Sequence, residues 1–262
     1  MVSYLQRMWA CRYFWISLVQ IDLRARYRRS LLGVGWSLIR PLMFTLILCL
    51  VFQKLFRRGD VWTYAPYVLS GLTLWDFLTT ATKQGCQCFF QGESYIRQHP
   101  SPLAIFPLRT ALTEAFHFSV ALVVLMGFSL ALHGPGVMMA WWSLVPAFVL
   151  LVLVAWSLAT LAGMMNVFFQ DTQHLCDVVF QILFYATPII YYTGDLGTGR
   201  MGWVLTHCNP VVPFLDIVRE PLLHGRVAAP AVFAVAALIT LLLTTAAALA
   251  CARLQRRIIF HL

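Results

Sequence analysis

Asp76 and Glu114 are the two acidic side chains that fall well inside long apolar stretches of this sequence, so they are the first places to look for chemistry. A carboxylate in such surroundings is costly unless it has a partner or a task. Acid–base work by a carboxylate pair needs both groups at one height of one site. Asp76 and Glu114 come from segments whose acids are expected at different heights, which makes a paired role weak. His174 and Asp177 lie three apart on a predicted helix with no third ligand nearby in sequence, so no metal site is expected there. The seven cysteines, at 11, 49, 86, 88, 176, 208 and 251, are odd in number and scattered, and Cys86 and Cys88 lack a second pair to complete a zinc set. They read as small buried hydrophobes. There is no Gly-rich phosphate loop ending in Lys-Ser or Lys-Thr, no HExxH and no Gly-x-Ser-x-Gly. The chain is therefore not expected to hydrolyse ATP or to bind a cofactor of its own.

The elements that must position these residues follow from composition. Of 262 residues, 60% are hydrophobic and 11% charged, with a mean hydropathy of +0.77. A soluble domain carries about a quarter charged residues, so this is the arithmetic of an all-α integral membrane protein. A hydrocarbon core about 30 Å thick needs about 20 apolar residues per helical crossing. Six such segments are predicted, at 33–56, 64–83, 108–132, 142–165, 175–193 and 228–252, within a single transmembrane domain over 1–262. The fifth is short and interrupted by Pro188; broken spans pack against protein or a water-filled path rather than lipid. Short loops leave no room for a separate catalytic domain. A membrane subunit of a transporter and an intramembrane enzyme acting on a lipid-like substrate remain.

With the N-terminus in the cytoplasm, thirteen Lys and Arg fall inside and six outside, which favours both termini cytoplasmic. The net charge of +9 thus reads as orientation in a membrane, with no nucleic-acid partner expected. No cleavable signal peptide is visible in the basic, aromatic first thirty residues. Residues 1–32 are predicted as a helix lying in the cytoplasmic interface, with Cys11, Phe14, Trp15, Leu18, Ile21 and Ala25 on its apolar face. The basic cluster Arg24, Arg26, Arg28 and Arg29 would meet anionic membrane lipids. The stretch 196–226 mixes apolar and charged residues at helical spacing and reads as a hairpin dipping into the outer leaflet.

Three segments carry a resemblance. DLRARYRRSLLGVGWSLIRPL, Asp22–Leu42, NVFFQDTQHLCDVVFQILFYATPIIY, Asn166–Tyr191, and NPVVPFLDIVREPLLHG, Asn209–Gly225, cover about a quarter of the chain at the right places on a six-span plan. They resemble the membrane subunits of type-2 ABC exporters, most of all those that export lipid-linked polysaccharide such as O-antigen, capsule or teichoic acid. Gln170 stands where the family usually has Arg, and Thr187 where it has Ser. The resemblance implies a homodimer on two copies of a separate ATP-binding subunit that holds the ATP and Mg, a conduit at the dimer interface, and a polyprenyl-diphosphate-linked glycan as cargo. It implies the bacterial cytoplasmic (inner) membrane as location. A drug- or lipid-exporting relative, and an ion-coupled carrier relying on Asp76, are the other readings.

The resemblance also makes the loop 91–107 the coupling loop to the ATPase, with Glu93, Tyr95, Ile96, Arg97 and Gln98 as contacts. Aromatic rings offer a glycan weak, uniform holds, and Phe44, Trp75, Phe184, Tyr185, Tyr191 and Tyr192 are the path candidates; each is equally suited to core or membrane-interface packing. Arg40 lies about 9 Å inside its span. It either snorkels to the interface or meets the diphosphate of the carrier, for which a guanidinium is geometrically suited.

Overall fold

The structure is a computed structural model that describes residues 2–28, 30, 32–56, 61–98, 102–196 and 199–261, and among these every regular element is helical. Arg29, Arg57, Arg58 and positions 99–101 and 197–198 lie outside the described residues. In chain order the helices are α1 Val2–Ala10, α2 Arg12–Tyr27, α3 Trp36–Phe56, α4 Val61–Gln91, α5 Glu93–Gln98, α6 Ile105–His133, α7 Leu144–Phe168, α8 Thr172–Ala186, α9 Arg200–His207, α10 Val212–Leu223 and α11 Pro230–His261. A 3-10 turn, Gly33–Gly35, precedes α3, a nine-residue 3-10 helix, Pro135–Ser143, precedes α7, and a short one, Thr193–Leu196, follows the irregular segment after α8.

Four stretches, Gly33–Val51, Ile105–His133, Pro135–Phe168 and Pro230–Gln255, are long and apolar enough to cross a membrane. The protein is a multi-pass membrane protein. Helix α4 is about 46 Å long at 1.5 Å per residue, but it is more polar than these four, because it sits at the centre. It packs on α7, α6, α3, α8 and α10, and seventeen of its residues are buried. A helix clad in protein need not be as greasy as one clad in lipid. Its hydroxyls are satisfied within the helix: Thr73, Thr79 and Thr82 donate to the carbonyls of Leu69, Trp75 and Leu78 at 2.8–2.9 Å.

The approach of α4 to α7 is set by small residues. Ala155, Ala159 and Gly163 recur every four positions on α7, and Gly85 faces them from α4. A Cβ on Gly163 would lie 2.5 Å from the Gly85 carbonyl oxygen, and one on Gly85 would lie 2.4 Å from the Ala159 Cα. Backbone meets backbone here, the packing mode available to helices that have no hydrophobic drive between them. At one end of the bundle a second core gathers Phe89, Ile96, Leu103, Phe106, Met164, Val167, Cys251 and Ile258, which anchors α5 beneath α4, α7 and α11.

Several expectations shift. The N-terminal segment is two helices with a break at Cys11 (φ −86°, ψ 17°), not one. Its inward face holds Phe14, Trp15 and Leu18 and then turns polar: Ile21 (53% exposed) and Ala25 face outward, while Asp22 faces α6. The second helix extends to Gln91, eight residues past the predicted end, and the fifth stops at Ala186, just before Thr187-Pro188. The residue before a proline is driven out of the helical region, and Thr187 is extended at ψ 136°.

Candidate functional site

The polar residues in the first half of α6 recur on one side of that helix, at Arg109, Thr113, Glu114 and His117, and they receive α2. Arg109 donates two hydrogen bonds to the carboxylate of Asp22. Arg26 Nη1 donates to Glu114 Oε1 at 2.7 Å, with the carboxylate largely buried. The Tyr27 hydroxyl lies 2.8 Å from His117 Nδ1 and 2.9 Å from Ser37 Oγ, and Ser37 donates to the Val34 carbonyl at 2.7 Å. Thus α2 is fastened to α6 by two charged contacts and a hydroxyl–imidazole contact, and its apolar stripe carries only the first half.

This seam encloses a cavity of about 250 Å³ between α2, α3, α4 and α6. Arg26, Tyr27, Ser37, Arg40, Asp76, Glu114 and His117 supply its polar wall, and Trp36, Phe77 and Phe118 its apolar one. Two guanidiniums and two carboxylates balance its formal charge. Arg40 and Asp76 both face it, and neither makes an ion pair among the described residues. A second cavity of about 210 Å³, with Asp22, Gln84, Gln91 and Thr113 in its wall, shares Arg26 and Glu114. The Arg26–Glu114 pair therefore stands between two polar chambers. Guanidinium, hydroxyl and imidazole donors around an otherwise apolar cleft suit a phosphoryl or sugar oxygen.

At the other end of α4, residues 187–192 run without regular structure, and their carbonyls need partners. Arg219 of α10, 6% exposed, supplies two of them and ties the segment to α4. It donates to Pro188 O at 2.7 Å, Tyr67 O at 3.1 Å, Ile189 O at 3.4 Å and Ser70 Oγ at 3.2 Å, with its guanidinium 3.8 Å from the Tyr67 ring centroid. Tyr64 donates to Ile190 O at 2.7 Å and Tyr67 to Tyr191 O at 2.9 Å. Asn209 donates to Ala186 O and Thr187 Oγ1 and accepts from the Val211 amide. Gly71 leaves the room: a Cβ there would lie 2.6 Å from the Arg219 guanidinium.

Helix α8 leans on α4 through Lys83–Asp177 (2.5 Å) and Gln87–Gln173 (2.7 Å). Asp177 is thus an ion-pair partner. The opposite face of α8 exposes His174, Leu175, Val178, Gln181, Ile182 and Tyr185. Of the path candidates, Tyr185 (68% exposed) lies on this stripe, and Phe44 lies on an exposed apolar face of α3 with Met43, Ile47 and Leu50. Trp75 is buried, its ring meeting the edges of Phe180 and Phe184 at 5.7 Å. Tyr191 donates to Tyr185 O at 3.1 Å, and Tyr192 packs on Tyr64 and Tyr67. The six aromatic candidates thus divide among the α4–α8 contact, the irregular segment 187–192 and the exposed faces of α8 and α3, while Arg40 and Asp76, the charged candidates for the path, line the cavity.

On α5, Arg97 pairs with Glu93 at 2.8 Å, and Tyr95 meets the Phe14 ring edge-on at 5.6 Å. Ile96 is buried in the second core. It anchors the helix from below, so as a surface contact it is corrected; Glu93, Tyr95, Arg97 and Gln98 keep the outer side. Arg24 and Arg28 are exposed, whereas Arg26 is committed to Glu114.

The sequence profile of the family described as ABC-2 type transporter matches residues 13–223, the span that carries the cavity, α5, α8 and α10. The chain belongs to that family. As an ABC-2 membrane subunit it is a transport protein that pairs with an ATP-binding subunit. It is similar to the O-antigen export system permease protein RfbA of Klebsiella pneumoniae, 26% identical over 205 residues and 78% of each chain. It is also similar to the protein of that name from Myxococcus xanthus, 24% identical over 217 residues and 82% of each chain.

In this ABC-2 subunit, sequence reasoning missed Arg219, counting it only as an outward charge. The signal available was an Arg between Val218 and Glu220 in an apolar helix one turn from Leu215 and Leu222, all inward-facing. Glu114 was weighed only against Asp76, and His117 was given no role; their spacing with Arg109 along α6 is the signal of a docking face.

Proposed function

We propose that the chain forms a homodimer on two copies of an ATP-binding subunit and moves a polyprenyl-diphosphate-linked glycan of O-antigen type across the bacterial cytoplasmic membrane. The similarity to O-antigen export permeases over about four-fifths of both chains carries this reading. In it α3, α4, α6, α7, α8 with residues 187–192, and α11 are six crossings, and both termini are cytoplasmic, in keeping with the thirteen-to-six basic asymmetry. Helices α1 and α2 lie in the cytoplasmic interface, where Arg24, Arg28 and Arg29 meet anionic lipid. Helices α9 and α10 form a hairpin dipping in from outside. The cavity at Arg40 receives the diphosphate, with Arg26 exchanging Glu114 for a phosphoryl oxygen. The exposed stripe of α8 serves the glycan: Gln181 and Tyr185 at bilayer depth are costly against lipid and at home against a hydrated sugar. Deleting the gene in the native host should abolish long surface glycan and accumulate it on the cytoplasmic side. Unchanged surface glycan would refute the cargo.

Helix α5 transmits the motion of the ATPase in this reading, through Glu93, Tyr95, Arg97 and Gln98. Anchors of such interfaces cost about 2 kcal/mol or more each on truncation, at least thirtyfold in binding for one. Tyr95→Ala with Arg97→Ala should insert and melt within a few degrees of wild type, since only the Phe14 contact and the exposed Arg97–Glu93 pair are lost, yet fail to co-purify with the ATPase. Normal co-purification would move the coupling contact elsewhere.

A further inference from the structure

Beyond the cargo site, a larger groove of about 1030 Å³ opens between α9, α10 and the start of α11. Its composition is graded. Val212, Val232 and Val235 line an apolar part, and Val235 continues onto the exposed apolar face of α11 with Leu238, Leu241 and Leu242. Asp216, Glu220 and Arg226 line the polar part. Arg226 donates to both oxygens of Glu220, Nε to Oε2 at 2.6 Å and Nη2 to Oε1 at 3.4 Å, and each oxygen keeps a second acceptor site. Asp216, half-buried, makes no ion pair or hydrogen bond among the described residues. A groove that is apolar where it joins the membrane-facing surface and carries both signs of charge at its rim is shaped for an amphiphile with a zwitterionic head.

We propose that this groove binds a glycerophospholipid whose headgroup ends in a primary ammonium. The ammonium donates to Asp216 and Glu220, the phosphate faces Arg226, and an acyl chain lies along Val212, Val232 and Val235. Charge complementarity selects this occupant. An anionic headgroup without an amine would bring its charge to two carboxylates and one guanidinium. A quaternary ammonium has no N–H to donate. The inference rests on the membrane orientation proposed above only for placing the groove in the outer leaflet; the binding itself does not depend on it.

Native mass spectrometry of the purified subunit, titrated with dioleoyl-phosphatidylethanolamine or dioleoyl-phosphatidylglycerol, tests it. The ethanolamine lipid should be retained about tenfold better, the worth of one charge-assisted hydrogen bond. Asp216→Asn, which keeps shape and removes charge, should abolish that preference. Val235→Trp, which fills the apolar part, should lower retention of both lipids. Equal retention of the two lipids by the wild type, or an undiminished preference in Asp216→Asn, would overturn the proposal. So would choline lipid binding as well as ethanolamine lipid. Failure of these assays leaves the glycan-export reading untouched, because that reading is judged by surface glycan.

Discussion

Arg219→Ala should lower the melting temperature of the purified subunit more than any other single polar truncation described here, and should remove export with it. The substitution strands the carbonyl of Ile189 and takes one partner each from the Pro188 carbonyl, which keeps the Tyr67 hydroxyl at 3.1 Å, from the Tyr67 carbonyl and from the Ser70 hydroxyl. Leaving a buried acceptor unpaired costs about 1–3 kcal/mol, and the volume emptied by the side chain adds to it, together a large fraction of a total stability of about 5–15 kcal/mol. Arg219→Lys should recover part of the loss only, since an ammonium is a compact charge and cannot span four acceptors set around a planar fork. Differential scanning fluorimetry in detergent reads both. If the Ala variant melted with the wild type, the irregular segment would have to be held by Tyr64, Tyr67 and Asn209 alone.

Gly163→Leu should prevent the bundle from forming. The first added carbon lies 2.5 Å from the Gly85 carbonyl oxygen, which belongs to a backbone and cannot swing aside. Overpacking against flexible side chains costs about 1–3 kcal/mol; here two helices must separate along their whole contact, so the loss is larger. Gly127→Ala is the control, because nothing lies within 4 Å of its Cβ position in α6. It should be neutral or stabilising by up to about 1 kcal/mol. Equal melting of the Gly163→Leu and wild-type proteins would mean that α4 and α7 do not meet as described.

The sequence made the membrane class legible because apolar runs have few alternative explanations, and α3, α6 and α7 fall close to the predicted bounds, while α11 runs nine residues past its predicted end, to His261. It also marked Pro188 as a break. It could not show which charged residues meet, since Asp22 and Arg109, or Arg26 and Glu114, are separated by some 87–88 positions. For the same reason the side of α2 that docks on α6 was not legible: Ile21 and Ala25 continue the apolar stripe, while the partner helix meets Asp22 and Arg26 at that height. Ile96 looked like a surface residue because its neighbours Tyr95 and Arg97 are; only the arrival of Phe106, Met164 and Ile258 buries it. Arg219 was the largest omission. Its acceptors are backbone carbonyls, which have no letter in a sequence.

The central position of α4 bears on how the protein is made. Its threonines, glutamines and Asp76 give it too little apolarity to partition into a bilayer unaided, and its close approach at Gly85 exists only once α7 is present. During synthesis α4 emerges long before α7. Its retention must therefore rest on the translocon, or on pairing with α3 as a helical hairpin, until the later helices arrive. A chain stalled between α6 and α7 would hold a segment that no lipid environment suits, an opening for membrane quality-control proteases. Variants that merely delay that later packing would then be removed before they could misfold visibly, and the yield of protein would fall without any change in the stability of the molecules that survive.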